Sequence, residues 1–244
     1  MFVVEGVKLL GAALGAGAEI ESVFLAPGAT SVPEVLWEVE SARAAGARVF
    51  DLEPGVMERI AATVTPQPVI AVARIPCNGL ETIAGARFVV VCVDVRDPGN
   101  LGAVMRVADA AGAGGLVCCE GTADPYSPKT VRAAAGSLLH LPVICAGPPE
   151  EVLTTMASLG LRRLAASAHG GQEYSSMELS GRIALVLGNE ARGLPAELGP
   201  LVDAEVTVPM TGRAESLNVS AAAAVICFEA LRQRSTILGM EDGS

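Results

Sequence analysis

The stretch RFVVVCVDVRDPGNLGAVMR, residues 87–106, joins an unbroken apolar run to a polar loop and then to a helical pattern. Strands that are apolar without alternation are buried on both faces, which is typical of a parallel sheet. The run ends in acid at Asp94, Pro98 and Gly99 turn the chain, and we interpret Asn100 as the cap of the next helix. Because parallel α/β sheets bind ligands beyond the carboxyl ends of their strands, this loop is the first candidate site.

The same pattern continues toward the C-terminus. We predict further strands at 115–120, 162–167, 183–188 and 204–209, with helices at 101–111, 130–135, 150–159 and 219–232. Upstream, a smaller α/β unit is predicted from helices at 5–14, 33–45 and 55–64 and strands at 20–26, 47–52 and 68–75. The turn-rich PCNGLETIAGAR, residues 76–87, separates the two. The prediction is therefore a small domain 1–77, a linker 78–86 and a parallel-sheet domain 87–244.

Composition narrows the class of protein. The 244 residues are 51% hydrophobic and only 3% aromatic, and the net charge is −10, from 27 acidic and 17 basic residues. On bulk charge alone this balance argues against nucleic acid, whose binders usually carry a basic excess. The six cysteines form no C-x-x-C pair and the two histidines are far apart, so we expect free core thiols, no metal and a cytoplasmic protein. The apolar start is interrupted by Glu5 and Lys8, which excludes a signal peptide, and no run is long enough to span a membrane.

Two more polar loops follow predicted strands. In LVLGNEARGLP, residues 185–195, Gly188 would let a ligand approach the backbone, and Glu190 and Arg192 supply charge beside it. In TGRAESLNVS, residues 211–220, Ser216 and Asn218 are good capping residues at a helix start, a place that suits a carboxylate or phosphate. Each loop alone fits an ordinary turn, but their shared position at strand ends favours a site.

Two helices carry unusual features. Arg106 is a lone charge on an apolar helix, so it is either paired with Asp94, Asp97 or Asp109, or turned into a site. The helix that begins near Val219 shows no polar side before Glu229, which predicts that something covers it on every side.

The motifs PGNLGAVMRVADAAGA, LVLGNEARGLP and VPMTGRAESLNVSAAAA resemble the three signature motifs of the SpoU (TrmH) family of RNA 2′-O-ribose methyltransferases, in the same order, over about residues 90–230. The resemblance implies a trefoil-knotted α/β domain that binds S-adenosylmethionine, acts on RNA and works as a homodimer. The start FVVEGVKLLGAALGAG resembles the small RNA-binding domain of members that act on large-subunit ribosomal RNA, which usually carry a further segment ahead of it. The expected substrate is therefore 23S rRNA. A tRNA 2′-O-ribose methyltransferase and a non-catalytic RNA-binding scaffold with the same fold are the alternatives.

The resemblance also implies roles for particular residues. The catalytic set is Asn100, Arg106, Glu190, Ser216 and Asn218, and the cofactor contacts are Leu187, Gly188, Val208, Met210, Ser216 and Leu217. Arg106 is the residue that would act on the ribose hydroxyl. A guanidinium stays protonated, so we expect it to orient the hydroxyl and offset charge on its oxygen rather than to remove the proton.

The basic residues explain how an acidic chain would hold RNA. Five of them fall on or beside the three loops or in the segment between the first two: Arg96, Lys129, Arg132, Arg192 and Arg213. Local charge steers a polyanion more than net charge does, so we predict that they bind RNA. The alternative is that they pair with nearby acids such as Asp97 and Glu215. A dinucleotide site at GAGG, residues 112–115, is excluded because these glycines end a helix and precede a strand.

Overall fold

The structure is a computed structural model that describes residues 1–61, 65–213 and 215–241, with side chains described as far as residue 236. It divides into two compact units. The first comprises Met1–Cys77 and Tyr126–His140, and the second comprises Asn78–Pro125 and the chain from Leu141 onward. Parts of the predicted segments 55–64 and 211–220 fall on residues 62–64 and 214, which lie outside the described residues.

The first unit is built on a mixed four-stranded sheet of order β1-β4-β2-β3. Only the β2–β3 pair is parallel. The strand β1 was not predicted from the sequence, and the first helix begins after it, at Val7 rather than at Glu5. The turn between them is made by Gly6 at φ 100°, a conformation that favours glycine. The elements up to residue 77 are β1 Phe2–Glu5, α1 Val7–Gly15, β2 Ile20–Leu25, α2 Pro33–Ala44, β3 Arg48–Asp51, α3 Met57–Ile60 and β4 Val69–Ala73.

The second unit contains a seven-stranded sheet of order β7-β6-β5-β10-β8-β11-β9, in which every pair of neighbours is parallel. The predicted parallel sheet is confirmed. Its two outermost strands, β7 and β9, have three and two residues and were not predicted. The elements from residue 88 on are β5 Phe88–Cys92, α4 Pro98–Ala110, β6 Leu116–Cys118, α5 Pro128–Ala134, β7 Val143–Cys145, α6 Pro149–Ser158, β8 Arg162–Ser167, β9 Gln172–Glu173, β10 Ile183–Leu187, β11 Ala204–Thr207 and α7 Val219–Glu241.

The helix α5 belongs to the first unit, although its neighbours in sequence belong to the second. It packs on β1, and the ring of Tyr126 lies 5.4 Å from that of Phe2, centroid to centroid. Burial of this aromatic pair explains how a segment distant in sequence joins the small unit.

The core of the second unit surrounds its central strands. All residues of β5 and β10 are buried, as expected for strands covered on both faces. On one face α4 packs against α7, whose buried residues follow helical spacing: Ala223, Ile226, Cys227 and Ala230. Within this single chain α7 therefore buries one stripe, and Phe228 on another face is 47% exposed. The single chain thus covers one stripe of the helix, and the homodimer implied by the family resemblance would have to cover the rest.

Several expectations from composition can be compared with the described residues. All six cysteines are free thiols, and burial raises the pKa of Cys119 and Cys227 to about 12, so both stay protonated at neutral pH. Cys77 and Cys145 are exposed rather than in the core. Among the described residues we find no three histidine, cysteine or acidic side chains grouped to hold a metal ion. None of the helices described has both the length and the apolar character needed to cross a bilayer.

Candidate active site

The three predicted loops lie at one edge of the second unit's sheet. They follow β5, β10 and β11, at residues 93–97, 188–195 and 208–218, and we call them loops 1, 2 and 3. Because β5 and β10 are parallel neighbours in register, loops 1 and 2 leave the sheet side by side. Loop 3 leaves the same edge two strands away from β10. The geometry predicted from the sequence is thus present for these three segments.

Glu190 ties loop 2 to loop 1. Its Oε1 accepts hydrogen bonds from the Asp97 N–H at 3.0 Å and from Asn100 Nδ2 at 3.1 Å, and its Oε2 accepts one from the Arg96 N–H at 3.2 Å. One carboxylate therefore satisfies two backbone donors and one amide donor of loop 1 and the start of α4.

These contacts also set the ionisation of Glu190. Partial burial raises the pKa of this carboxyl, but hydrogen bonds from the Asp97 N–H, its own N–H and the Asn100 amide outweigh burial and hold the pKa below its ordinary value of 4.5. Glu190 is therefore ionised at neutral pH and is a weak base. The arrangement suits a structural tie better than a proton acceptor.

Asn100 has a different position from the one predicted. The N-cap of α4 is Asp97, whose Oδ1 accepts from the Asn100 N–H at 2.9 Å, with Pro98 in the first turn. The interpretation of Asn100 as the cap is wrong, because the helix begins at Pro98 and Asp97, three residues before Asn100, caps it. This frees the Asn100 amide to bridge, and its Oδ1 accepts from Asn218 Nδ2 at 2.9 Å.

Asn218 completes a continuous network across all three loops. Its Oδ1 accepts from the Ser220 N–H at 2.8 Å and from Ser220 Oγ at 2.7 Å, which caps the start of α7. Side chains from three strand ends are thus joined in the order Glu190, Asn100, Asn218, Ser220. The structure brings three of the five predicted catalytic residues into direct contact.

Arg106 lies apart from this network. It is exposed on the third turn of α4, and within the described residues its guanidinium makes no hydrogen bond or ion pair. The alternative that Arg106 is paired structurally is not met there: Asp94 instead contacts Arg96 and Arg192. Ser216 is likewise exposed, on loop 3.

The predicted cofactor residues fall at the ends of β10 and β11. Leu187 and Gly188 are buried, Val208 and Met210 are partly buried, and Leu217 is 39% exposed. A Cβ on Gly188 would lie 2.4 Å from the backbone of Gly193 and Leu194. The absence of a side chain at this position therefore makes room for the chain's own backbone. Gly188 is needed for loop 2 to fold back on its strand.

The predicted RNA-binding residues are divided between the two units. Lys129 and Arg132 lie on α5 of the first unit, and the other three lie on the loops of the second. Arg96 Nε donates to Asp94 Oδ1 at 2.6 Å, and Arg192 Nη2 lies 3.8 Å from Asp94 Oδ2. The alternative of pairing with acids holds for these two, with Asp94 as the acid. Arg213 is exposed and has no such partner among the described residues.

Two residues of the site were not predicted as functional. They are Asp94, which has φ 57°, and Asn189. Asn189 Nδ2 donates to the main-chain oxygen of Asp94 at 2.9 Å and to its Oδ2 at 3.1 Å. Asn189 Oδ1 in turn accepts from the N–H groups of Ala191 and Arg192. The available signal was position, since each is a polar residue at the end of a buried strand of a parallel sheet.

Known proteins match this chain in both of its parts. The sequence model of the SpoU rRNA Methylase family matches residues 87–228, and that of the MRM3-like substrate binding domain matches residues 1–71. A Bacillus subtilis protein named 23S rRNA (guanosine(2553)-2′-O)-methyltransferase RlmP is 35% identical over 93% of this chain and 87% of its own.

Solved structures agree with these matches. An AdoMet-bound rRNA methyltransferase from Sinorhizobium meliloti has a TM-score of 0.84 at 33% identity and covers 95% of this chain and 87% of its own. The SpoU methyltransferase AviRb from Streptomyces viridochromogenes in complex with AdoMet has a TM-score of 0.85 at 30% identity, with coverage of 96% and 90%. The predicted fold class, a parallel-sheet α/β domain preceded by a small α/β domain, is confirmed, and by the family match over residues 87–228 the chain belongs to the SpoU rRNA methylase family.

Proposed function

We propose that this protein transfers a methyl group from S-adenosylmethionine to a ribose 2′-hydroxyl of 23S rRNA. The observation that carries the proposal is the network of Glu190, Asn100 and Asn218, which joins three strand-end loops. Arg106 lies on the helix that follows loop 1, where it is exposed and has no hydrogen bond or ion pair within the described residues. Similarity to proteins named as 23S rRNA 2′-O-methyltransferases supports the substrate. The AdoMet-bound neighbours support the cofactor.

Loop 3 and the end of β10 fit this cofactor. The peptide groups of residues 210–213 make no backbone hydrogen bonds among the described residues, so their donors and acceptors are available to a ligand. Apolar side chains stand beside them at Val208, Met210 and Leu217. A nucleoside cofactor binds best in a pocket with apolar walls and a few well-placed polar groups, and this segment offers both. When bound, S-adenosylmethionine supplies a methyl group already activated on a sulfonium.

The chain's own residues orient the acceptor. Arg106 donates a hydrogen bond to the 2′-oxygen, which directs a lone pair toward the methyl group and offsets negative charge as the proton leaves. Glu190 does not take that proton, because its oxygens already receive three N–H groups. We assign the proton to a group outside the network, such as an RNA phosphate beside the ribose. Ser216 and Asn218 line the same site from loop 3.

The family matches over residues 1–71 and 87–228 support the domain organisation predicted from the sequence. Residues 1–77 form the RNA substrate-binding domain, 78–86 the linker and 87–244 the methyltransferase domain, with the segment 126–140 placed in the compact unit of the former. Lys129 and Arg132 on that segment then serve RNA binding from the first unit. A ribosomal RNA substrate also supports a cytoplasmic location.

The second unit has a trefoil knot and forms a homodimer. The strand order supports the knot: β10 is inserted between β5 and β8, after β6 and β7 have already extended the sheet, and α7 returns to pack on α4. The uncovered face of α7 supports the dimer, because Phe228 is 47% exposed on a helix with Ala222 and Ala224 beside it only partly buried. Sedimentation of wild type and of Phe228→Glu tests this, and a wild-type monomer would exclude the dimer.

Methyl-label transfer tests the function. Purified protein with labelled S-adenosylmethionine is offered unmodified 23S rRNA and bulk tRNA, and the labelled ribose is then mapped. The proposal expects label in 23S rRNA at one 2′-oxygen. Label in tRNA alone supports the tRNA alternative. Absence of S-adenosylmethionine binding by calorimetry, with RNA still bound, supports the non-catalytic scaffold.

A further inference from the structure

We infer that Asp94 is a positioning residue that holds Arg96 and Arg192 as a two-pronged clamp for the RNA backbone at the entrance of the site. The inference rests on the proposed function and adds to it a named phosphate-binding site and the residue that builds it. Asp94 belongs neither to the catalytic set nor to the cofactor set, and its role follows from contacts on loops 1 and 2.

The backbone at Asp94 is held in a costly conformation. Its φ of 57° lies in the left-handed region, where glycine is favoured and where a side chain adds strain. The only other residue with a side chain and positive φ among those described is Ala135, at the end of α5. Glycine would adopt this conformation without strain, so the presence of aspartate indicates a functional role for its carboxylate.

The carboxylate contacts both predicted RNA-binding arginines. Oδ1 accepts from Arg96 Nε at 2.6 Å, and Oδ2 lies 3.8 Å from Arg192 Nη2. The Asp94 side chain is 22% exposed, against 62% for Arg96 and 71% for Arg192. A partly buried acid thus anchors two cations whose outer faces stay in solvent. Because Arg96 uses only its Nε, the pair of terminal nitrogens remains free to bind a phosphate through two parallel hydrogen bonds.

Asn189 makes the clamp rigid. Its Nδ2 donates to the main-chain oxygen and to Oδ2 of Asp94, while its Oδ1 accepts from the Arg192 N–H at 3.1 Å. The backbone of loop 2 at Arg192 is therefore held against Asp94 through Asn189, and the 3.8 Å ion pair directs the Arg192 guanidinium toward the same carboxylate. Fixed phosphate contacts set the register of a nucleic acid on a protein without reading its bases. The clamp would place the ribose for methyl transfer.

The clamp predicts that removal of the acidic Asp94 lowers the affinity for RNA. Removing an acidic charge ordinarily strengthens binding of a polyanion, but removing Asp94 should weaken it, because two arginines lose their anchor. We expect Asp94→Gly, which also relieves the backbone strain, to raise the Kd for RNA by about threefold to tenfold. The slope of log K against log salt should fall by roughly 0.7–0.9, the value of one phosphate contact.

The experiment uses the full chain and a fluorescein-labelled 23S rRNA fragment, with binding followed by anisotropy from low to high salt. The matched control is Glu120→Gln, which removes an exposed acid at the end of the neighbouring strand β6 and should leave RNA affinity equal or slightly higher. Asp94→Asn, which tolerates the same backbone conformation and keeps one acceptor oxygen, should fall between wild type and Asp94→Gly. The Kd for S-adenosylmethionine should stay unchanged, and KM for RNA should rise with little change in kcat.

Two further outcomes separate this inference from the proposed function. Asp94→Gly should raise the Kd for RNA less in the Arg96→Ala variant than in wild type, because one of the two arginines that Asp94 anchors is already absent. Equal or tighter RNA binding by Asp94→Gly overturns the clamp even when the wild type methylates rRNA normally. A wild type that binds RNA through the clamp but transfers no methyl group overturns the proposed function alone.

Discussion

The residues of the predicted catalytic set fall into two physically different groups. Glu190, Asn100 and Asn218 are joined to one another by hydrogen bonds of 2.9 to 3.1 Å across three loops. Arg106 lies nearby in sequence, on the same helix as Asn100, yet it is exposed and unpaired in the described part of the chain. The side chains of the first group are hydrogen-bonded within the protein, whereas the guanidinium of Arg106 can still bind a substrate.

This difference separates holding the site from acting on the substrate. A group whose hydrogen bonds are satisfied within the protein gains little by binding a ligand, whereas a guanidinium without a partner has five donors to offer. We therefore expect substitutions in the first group to change stability and loop geometry together. A substitution of Arg106 should change catalysis alone.

The largest effect is expected for Arg106→Ala. Loss of a charged donor aimed at the reacting oxygen should lower kcat by about 10²–10³-fold. Stability should change by less than about 0.5 kcal/mol, because the side chain is exposed and unbonded. Single-turnover methyl transfer with saturating RNA measures the first quantity, and a denaturant melt measures the second.

Arg106→Lys is the control for that result, because it keeps the charge but not the planar fork. It should recover only part of the rate. Near-normal turnover by Arg106→Ala would remove this residue from the mechanism and would erase the distinction between the two groups.

The next effect is the stability loss of Glu190→Gln. The amide that replaces one carboxylate oxygen is itself a donor, and it would face the N–H of Arg96 or of Asp97. Both residues are exposed, so water can take over the lost bond, and the loss should cost about 0.5–1.5 kcal/mol of unfolding free energy. The exposed Glu197→Gln is the matched control and should be neutral. A fully stable Glu190→Gln with normal activity would show that the tie between loops 1 and 2 is not needed.

A smaller effect is the coupling between Asn100 and Asn218. Each alanine variant breaks the same 2.9 Å hydrogen bond between loops 1 and 3, so the double variant should lose less stability than the sum of the singles. We expect a coupling of about 1 kcal/mol from a double-mutant cycle in urea. Additive losses would mean that the two side chains contact without stabilising each other.

The sequence predicted the features that have a local pattern, and it missed those that depend on contacts between distant residues. Burial patterns located the long strands, and β8 was predicted at its observed bounds of 162–167, but two- and three-residue edge strands such as β9 and β7 carry too little pattern. The strand-end rule found all three loops. The cap of α4 was misassigned because aspartate and asparagine are equally good caps and only the geometry selects Asp97. The contact from Asn189 to Asp94 joins residues 95 positions apart, and no local pattern encodes it.

The smallest and most specific prediction is a pH dependence of the Glu190 tie. The folded-state pKa of Glu190 lies below 4.5, because the N–H groups it receives prefer the carboxylate, so the unfolded state binds the proton more readily. Its contribution to stability is then fully present above about pH 4.5 and is lost as the pH falls through the depressed folded-state pKa. The difference in unfolding free energy between wild type and Glu190→Gln should be constant from pH 7 to pH 5 and should shrink below that range. Urea melts of both proteins across these pH values measure it, and a difference that persists unchanged to pH 3 would mean that the network does not depend on the charge of the carboxylate.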